Sequence, residues 1–433
     1  MAQAIVAERA VASIRLWGRH VGAVAEDPYS GNVVFEYAET FRDSGMEISP
    51  LRLPLTLRGP QVFPELARSE AFQGLPGVLA DALPDAFGNA VIRRYFEARG
   101  TPVAALSPVQ RLLYLGTRAM GALEFLPPLE GRRDRGTEDA LEVASLVAQA
   151  RRVIEGDTAV AVPEMMQVGA TAGGARAKAL ILWNPEAAVV RSGFAKPKPG
   201  DEPWMIKFDG VSAGHGGHAL AGEFSPGPWG RIEYAYSGMA RAAGIEMSDS
   251  YLLREREFAH FMARRFDIAA ESRLHMHSLG GLLHADYNVR QIVSYEEWFR
   301  SIRTLGLQQP VVDEAFRRMV FNLAARNQDD HVKNIAFLMS PDGMWRLAPA
   351  FDLTWATAGR WASTHQMTLR GKDDYFTRED LLAVGSTFDV RQDGRAIIDQ
   401  VDEALSTWAT AAKDAGIAKD LLKRIGSEFR RFR

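Results

Sequence analysis

The chain of 433 residues contains no cysteine. That single absence excludes disulfide frameworks, cysteine-ligated zinc and thiol nucleophiles. No apolar run approaches the ~20 residues that a membrane-spanning helix needs, so no membrane partner is expected. The opening residues, Met1 to Arg9, have neither a basic start nor a clean apolar stretch. A secretory leader is therefore not expected, and a cytoplasmic location is. An excess of one charge is missing too: a net charge of −3 gives no overall pull towards nucleic acid or anionic lipid. What remains is the globular pattern, with 47% apolar and 24% charged residues. The length exceeds one ordinary domain, so two or three compact units are expected.

Against this ordinary background one stretch concentrates chemistry: Asn327-Gln328-Asp329-Asp330-His331-Val332-Lys333-Asn334. It follows an apolar pattern of helical spacing through Val312, Phe316, Met319, Val320 and Leu323. A strand from Ile335 to Met339, a turn at Ser340-Pro-Asp-Gly343 and a strand from Met344 to Leu347 come next, and this hairpin returns Asp352 beside Asn334. Four residues separate Asp329 from Asn334, which is the spacing of a protein-kinase catalytic loop. There the aspartate accepts the substrate hydroxyl proton and the asparagine holds magnesium. His331 fits the Asp-x-His-x-x-Asn variant of small-molecule and lipid kinases, and joins Asp329 as a candidate catalytic residue. Magnesium takes hard oxygen ligands, one or two from the protein and the rest from phosphates and water. Asn334 and Asp352 are the candidate metal ligands.

Upstream, Val168-Gly-Ala-Thr-Ala-Gly-Gly-Ala-Arg-Ala-Lys178 leads into a strand from Ala179 to Trp183. Small residues let backbone N–H groups approach a phosphate, so Gly169, Ala172, Gly173, Gly174 and Lys178 are candidate nucleotide contacts. The segment has neither a Walker nor a dinucleotide pattern. By itself it fits a plain flexible loop equally well, and its place ahead of the Asp329 loop decides the reading. Lys207, in the apolar strand Trp204 to Phe208, is the candidate ATP-anchoring lysine. Glu233 opens an amphipathic helix from Arg231 to Ala243 and is its candidate partner; an exposed first-turn glutamate is the alternative.

Elsewhere the pattern reads as scaffold. Ile14 to Trp17, Val21 to Ala25 and Asn32 to Tyr37 form a β-meander, and Ser107-Pro108 opens a helix that Gly116 closes. Residues 126–136 read as a linker, followed by a helix from about Glu138 to Ile154. Ala213-Gly-His-Gly-Gly-His218 reads as a loop rather than a metal site, because no cysteine or carboxylate ladder accompanies it. Phe258 to Phe266 reads as a strand and hinge, and the closing Arg430-Arg-Phe-Arg433 as a solvated basic tail.

Taken together, these motifs resemble those of the HipA-family toxin kinases of bacterial toxin–antitoxin systems. Asp329-Asp-His-Val-Lys-Asn334 and Leu347-Ala-Pro-Ala-Phe-Asp352 carry the resemblance. Asp27-Pro-Tyr-Ser-Gly31, Ser49-Pro50, Leu83-Pro-Asp85 with Phe87-Gly88-Asn89, and Gly121-Ala-Leu-Glu-Phe125 extend it to the N-terminal segment. The resemblance implies an α+β, two-lobed protein-kinase-like fold, with a mixed α/β N-terminal lobe and an all-helical C-terminal lobe. It divides the chain into an N-terminal subdomain over 1–130, a kinase N-lobe over 131–265 and a C-lobe over 266–433. It also implies ATP and Mg2+ as cofactors, a protein substrate such as an aminoacyl-tRNA synthetase, a small helix-turn-helix antitoxin as partner, and DNA contact only through that antitoxin. Thr171 stands where the family has an autophosphorylated serine. A small-molecule phosphotransferase on the same fold, and a weakly catalytic antitoxin-binding protein, are the alternatives that the residues leave open.

Overall fold

The structure, a computed structural model, describes residues 10–27, 29–84, 86–97, 106–128, 140–155, 176–212, 227–269, 272–357, 359 and 361–432. The glycine-rich candidates Gly169, Thr171, Ala172, Gly173 and Gly174, and the histidine loop at 213–218, lie outside the described residues. By contact the chain forms two compact units. The first comprises Met1–Ala213, Arg264–Asp286 and Leu338–Met344; the second comprises Gly214–Ala263, Tyr287–Phe337 and Trp345–Arg433.

The first unit opens with the expected meander. Strands β1 (Val11–Leu16), β2 (Arg19–Glu26) and β3 (Val33–Tyr37) are joined by β4 (Gln61–Val62) and β5 (Leu123–Leu126) in the order β4-β3-β2-β1-β5. Period-two alternation explains β1: Ala12, Ile14 and Leu16 are buried while Val11 and Arg15 face solvent. Trp17 and Gly18, both at positive φ, make the tight turn into β2 that a right-twisted hairpin favours. Helix α1 (Pro108–Leu115) starts on a full capping box between Ser107 and Gln110. Helix α2 (Val143–Glu155) comes next, and then the antiparallel strands β6 (Arg176–Asn184), β7 (Val189–Ser192) and β8 (Glu202–Ser212).

Residues 264–286 belong to this unit by contact, and polar bonds fasten them to its first 126 residues. Asp267 takes both Nε and Nη2 of Arg265, at 3.0 and 2.7 Å, and the N–H of Gly121 at 2.9 Å. Trp17 Nε1 donates to Arg273 O at 2.7 Å. His275 Nε2 reaches Ile48 O at 2.9 Å, and His277 lies between Asp81 and Ser49.

The second unit is mostly helical. Helix α3 (Trp229–Ala242) precedes a hairpin of β9 (Ser250–Glu255) and β10 (Phe258–Arg264). Helices α4 (Tyr295–Thr304) and α5 (Gln309–Ala324) lead into the hairpin of β11 (Ala336–Met339) and β12 (Trp345–Leu347), of which Leu338–Met344 count with the first unit. Helices α6 (Arg378–Thr387), α7 (Arg395–Ser406), α8 (Trp408–Ala415) and α9 (Lys419–Glu428) complete it. The apolar stripe read for α3 is the face it buries: Ile232, Ala235, Tyr236, Met239 and Ala243 all lie in the core. Tyr236 Oη donates to Ala325 O at 2.7 Å and ties α3 to the end of α5.

The chain end departs from the solvated tail expected of it. Arg430 N–H donates to Ala324 O at 2.9 Å, Arg430 pairs with Asp374, and Arg378 donates to Phe432 O. Phe432 is buried, and that apolar anchor among arginines outweighs the charge run. Among the described residues no helix is long and apolar enough to cross a membrane.

Candidate active site

The Asp329 loop is built from the end of α5. Ala325 N–H still bonds Phe321 O at 2.8 Å, and Arg326, at φ +61, then turns the chain out of the helix. Asn327 is bolted back twice to Asn322: its N–H donates to the carbonyl at 3.0 Å and its Nδ2 to Oδ1 at 2.9 Å.

The two adjacent aspartates then take opposite environments. Asp330 points inward, its side chain fully buried. It accepts from Tyr295 Oη at 2.5 Å, His365 Nδ1 at 2.8 Å and the N–H of Gln366 at 2.8 Å. Burial pushes this carboxyl's pKa up, but the His365 ring and these bonds outweigh it and hold the group below the usual carboxylate range. Tyr295 is pushed far the other way, by its own burial and then by the Asp330 charge, and so stays a donor. Asn322 Nδ2 donates to Tyr295 Oη at 3.2 Å, so one network joins α4, α5 and the 363–366 segment beneath the loop.

Asp329 points outward, with 27% of its side chain exposed. Its Oδ1 accepts from Trp361 Nε1 at 2.7 Å. Its backbone carbonyl accepts from Asn334 Nδ2 at 3.0 Å. That bond fixes the Asn334 amide. His331 Nε2 stands 3.9 Å from Asp329 Oδ1, its ring 5.4 Å from that of Tyr287, and Lys333 Nζ lies 5.2 Å over the same tyrosine.

The segment carrying Asp352 is clamped to both ends of this loop. On one side Ala348 N–H donates to Ala336 O at 2.9 Å, with Ala348 O held by buried Arg318 at 2.8 Å. On the other, Gln328 N–H donates to Ala356 O and Ala356 N–H to Arg326 O, both at 3.1 Å. Glu428 adds a hold from α9, accepting from Trp355 Nε1 at 2.9 Å and Thr357 Oγ1 at 3.0 Å. Asp352 itself is at φ +55, a conformation that costs a non-glycine residue of order 1–3 kcal/mol and persists where surroundings over-determine it.

In the first unit Lys178 and Lys207 are direct cross-strand partners on β6 and β8. Both are buried, at 2% and 5% exposure. Glu233 lies in the second unit, buried in the second turn of α3 rather than exposed on its first.

The oxygen set offered by Asn334 and Asp352, an amide carbonyl and a carboxylate, suits a hard cation that draws its remaining ligands from phosphates and water. Of the sequence candidates, Asp329, His331 and Asn334 thus share one loop, and Lys178 and Lys207 share one strand pair. Sequence reading missed Asp330, Tyr295, His365, Gln366 and Trp361. The doubled aspartate was a visible signal for the first. Nothing periodic marks the others; Tyr295 and His365 come from 35 residues away on either side.

Comparison with known proteins fits this geometry. A model of the HipA N-terminal domain matches residues 12–126, and one of the HipA-like C-terminal domain matches residues 170–409. No curated protein matches the chain in sequence. Among solved structures, HipA of Shewanella oneidensis MR-1, in its complex with HipB and operator DNA, is similar with a TM-score of 0.66 and 15% identity, over 96% of this chain and 95% of that one. That likeness shows a shared fold. The Helicobacter pylori proinflammatory kinase CtkA matches at a TM-score of 0.35 and 12% identity, over 60% of this chain and 90% of that one, too distant to carry an argument.

Proposed function

Because this chain belongs to the HipA family, we propose that it is an ATP- and magnesium-dependent Ser/Thr protein kinase and the toxin of a toxin–antitoxin pair. The observation that carries this reading is the opposed pair at 329 and 330: one carboxylate locked in the core, its neighbour partly open to solvent, with Asn334 fastened to the backbone carbonyl of Asp329. Asp329 then serves as the base that takes the proton of the attacking hydroxyl. Asn334 and Asp352 would hold magnesium, which when bound neutralises charge on the transferring phosphoryl group. Lys178 and Lys207 would meet the ATP phosphates. Glu233, His331 and the glycine-rich segment around Thr171 complete the proposed machinery, with Thr171 as the autophosphorylation candidate.

A protein substrate, a translation component such as an aminoacyl-tRNA synthetase, is the family's implication, as is a cytoplasmic location. So is a small helix-turn-helix antitoxin as the route to DNA. The subdivision at residues 130 and 265 belongs to the same reading.

The test is purified protein with radiolabelled ATP and magnesium, alone and in a cell lysate, beside an Asp329→Asn control. Label on a protein band that vanishes in the control is the expected result. Label confined to small molecules would move the reading to a small-molecule phosphotransferase, and no transfer at all would end it.

A further inference from the structure

We infer that Trp361 is a positioning residue for Asp329, resting on the phosphotransfer reading above. Its indole Nε1 donates to Asp329 Oδ1 at 2.7 Å. Indole N–H is a donor only, so it can engage that oxygen solely as an acceptor. A carboxylate on a two-bond stem is free to rotate. With Oδ1 taken, rotation stops, and Oδ2, which has no hydrogen-bond partner among the described residues, is the oxygen left for an incoming hydroxyl.

The tryptophan is itself held by the buried network. Gln366 Nε2 donates to Trp361 O at 2.6 Å and also reaches Gln328 O at 3.3 Å. Gln366 N–H in turn donates to Asp330 Oδ1 at 2.8 Å. The connection therefore closes on itself: Asp330 fixes Gln366, Gln366 fixes Trp361, and Trp361 fixes Asp329, the residue next to Asp330. A base on a partly exposed side chain is thereby located from the core. Trp361 acts through Asp329 and need not touch the substrate.

The experiment compares wild type, Trp361→Phe and Trp361→His in phosphate incorporation from radiolabelled Mg-ATP, with Mg-ATP affinity measured by calorimetry. Phenylalanine keeps an aromatic ring and removes the donor. A hydrogen bond to a charged group is worth enough that its loss should slow transfer ~10–100-fold. Mg-ATP affinity should stay at the wild-type value, and histidine, which restores a ring N–H, should recover part of the rate. In an Asp329→Asn background the Trp361→Phe change should add no further loss. An unchanged rate in Trp361→Phe beside an active wild type would overturn the inference and leave the functional reading standing. So would a fall in Mg-ATP affinity that accounts for the lost rate. A wild type that transfers no phosphate would overturn both.

Discussion

Asp81–His277 in the first unit and Asp330–His365 in the second are built alike. In each, a carboxylate oxygen meets a histidine Nδ1, at 2.7 and 2.8 Å, and a neighbouring backbone N–H donates to the same carboxylate. The first pair goes further, for Ser49 Oγ lies 2.9 Å from His277 Nε2 and completes a serine–histidine–aspartate series. Distances alone would nominate it as a nucleophilic site. Exposure reverses that ranking. Ser49 and His277 are both fully buried, and a Cβ at Gly281 would stand 2.3 Å from Asp81 Oδ2, so backbone closes over the group. The Asp330 pair is buried completely, yet the adjacent Asp329 is partly open to solvent. Hydrogen-bond geometry identifies a network, and access decides whether it is a latch or the foundation of a site.

The widest separation between the two should appear in activity. Asp329→Ala is expected to lower phosphoryl transfer by ~10²–10⁴-fold with little loss of stability, since a partly exposed loop carboxylate supports little core. Ser49→Ala is expected to leave transfer unchanged while costing ~1–3 kcal/mol, because His277 Nε2 loses its buried partner. Transfer rates beside urea unfolding curves check both. A Ser49→Ala protein that is stable but inactive would mean that the latch reading is mistaken.

Stability should respond next, and alike in the two regions. Asp330→Ala strands Tyr295 Oη, His365 Nδ1 and the Gln366 N–H; Asp81→Ala strands His277 Nδ1 and the N–H and hydroxyl of Ser278. Each leaves several buried donors unpaired, for which a cost of about 3–5 kcal/mol is expected. The two differ in where the damage spreads. Hydrogen exchange should report loss of protection around 264–286 in the Asp81 variant and around 322–334 in the Asp330 variant. Uniform loss throughout the chain in either would remove the distinction.

Acid separates the regions by chemistry. Burial, and then the neighbouring His277, push His275 down to about 4; His284 falls to about 4 through burial, then His277 and Arg52. Asp81 opposes both shifts. Their folded values lie below the ordinary 6.5, so the folded state favours the neutral rings. The stability they contribute is full above about pH 6.5 and drains as pH falls towards 4, by up to about 3 kcal/mol for the fully buried His275 and less for His284. His284 accepts the Gly77 N–H at 3.0 Å through Nε2, and protonation there ends that bond. Asp330 responds in the same sense but in a lower window: its folded value is depressed below the usual carboxylate range, so its contribution persists until pH falls below roughly 4. Exchange measured between pH 7 and 4.5 should therefore loosen 264–286 before 322–334. Simultaneous loosening would show that the histidines do not govern the first unit.

How far the sequence reveals these regions depends on periodicity. The meander, the capped helix after Ser107, the buried face of α3 and the hairpin before Asp352 arise from alternation, helical spacing and turn residues, all local signals. The loop that carries Asp329 and Asn334 is legible for the same reason, since its spacing is local too. The latch is not: His277 meets Asp81 across 196 positions, and Trp361 meets Asp329 across 32. Buried polar partners carry no periodic mark, and only the packed chain shows which of its nine histidines they are. The solvated-tail reading of Arg430 to Arg433 missed for a related reason, because charge counts conceal one well-placed phenylalanine.

The smallest expected difference concerns two capping boxes, one in each unit. Ser107 caps α1 with Gln110, and Ser294 caps α4 with Glu297, each side chain bonding the other's backbone N–H. Replacing either serine by alanine should cost about 1 kcal/mol, since one first-turn donor loses its partner. In Ser107→Ala the effect should end there, because α1 begins on proline and scaffold. In Ser294→Ala the freed first turn begins with Tyr295, whose hydroxyl reaches Asp330 at 2.5 Å. Fraying there should slow phosphoryl transfer slightly, by less than the loss in Trp361→Phe, while Ser107→Ala stays at the wild-type rate. Urea midpoints should match between the two variants and transfer rates should not. If the rates match as well, Asp330 keeps its place through His365 and Gln366 alone, and the network under the loop is shorter by one helix than its hydrogen bonds imply.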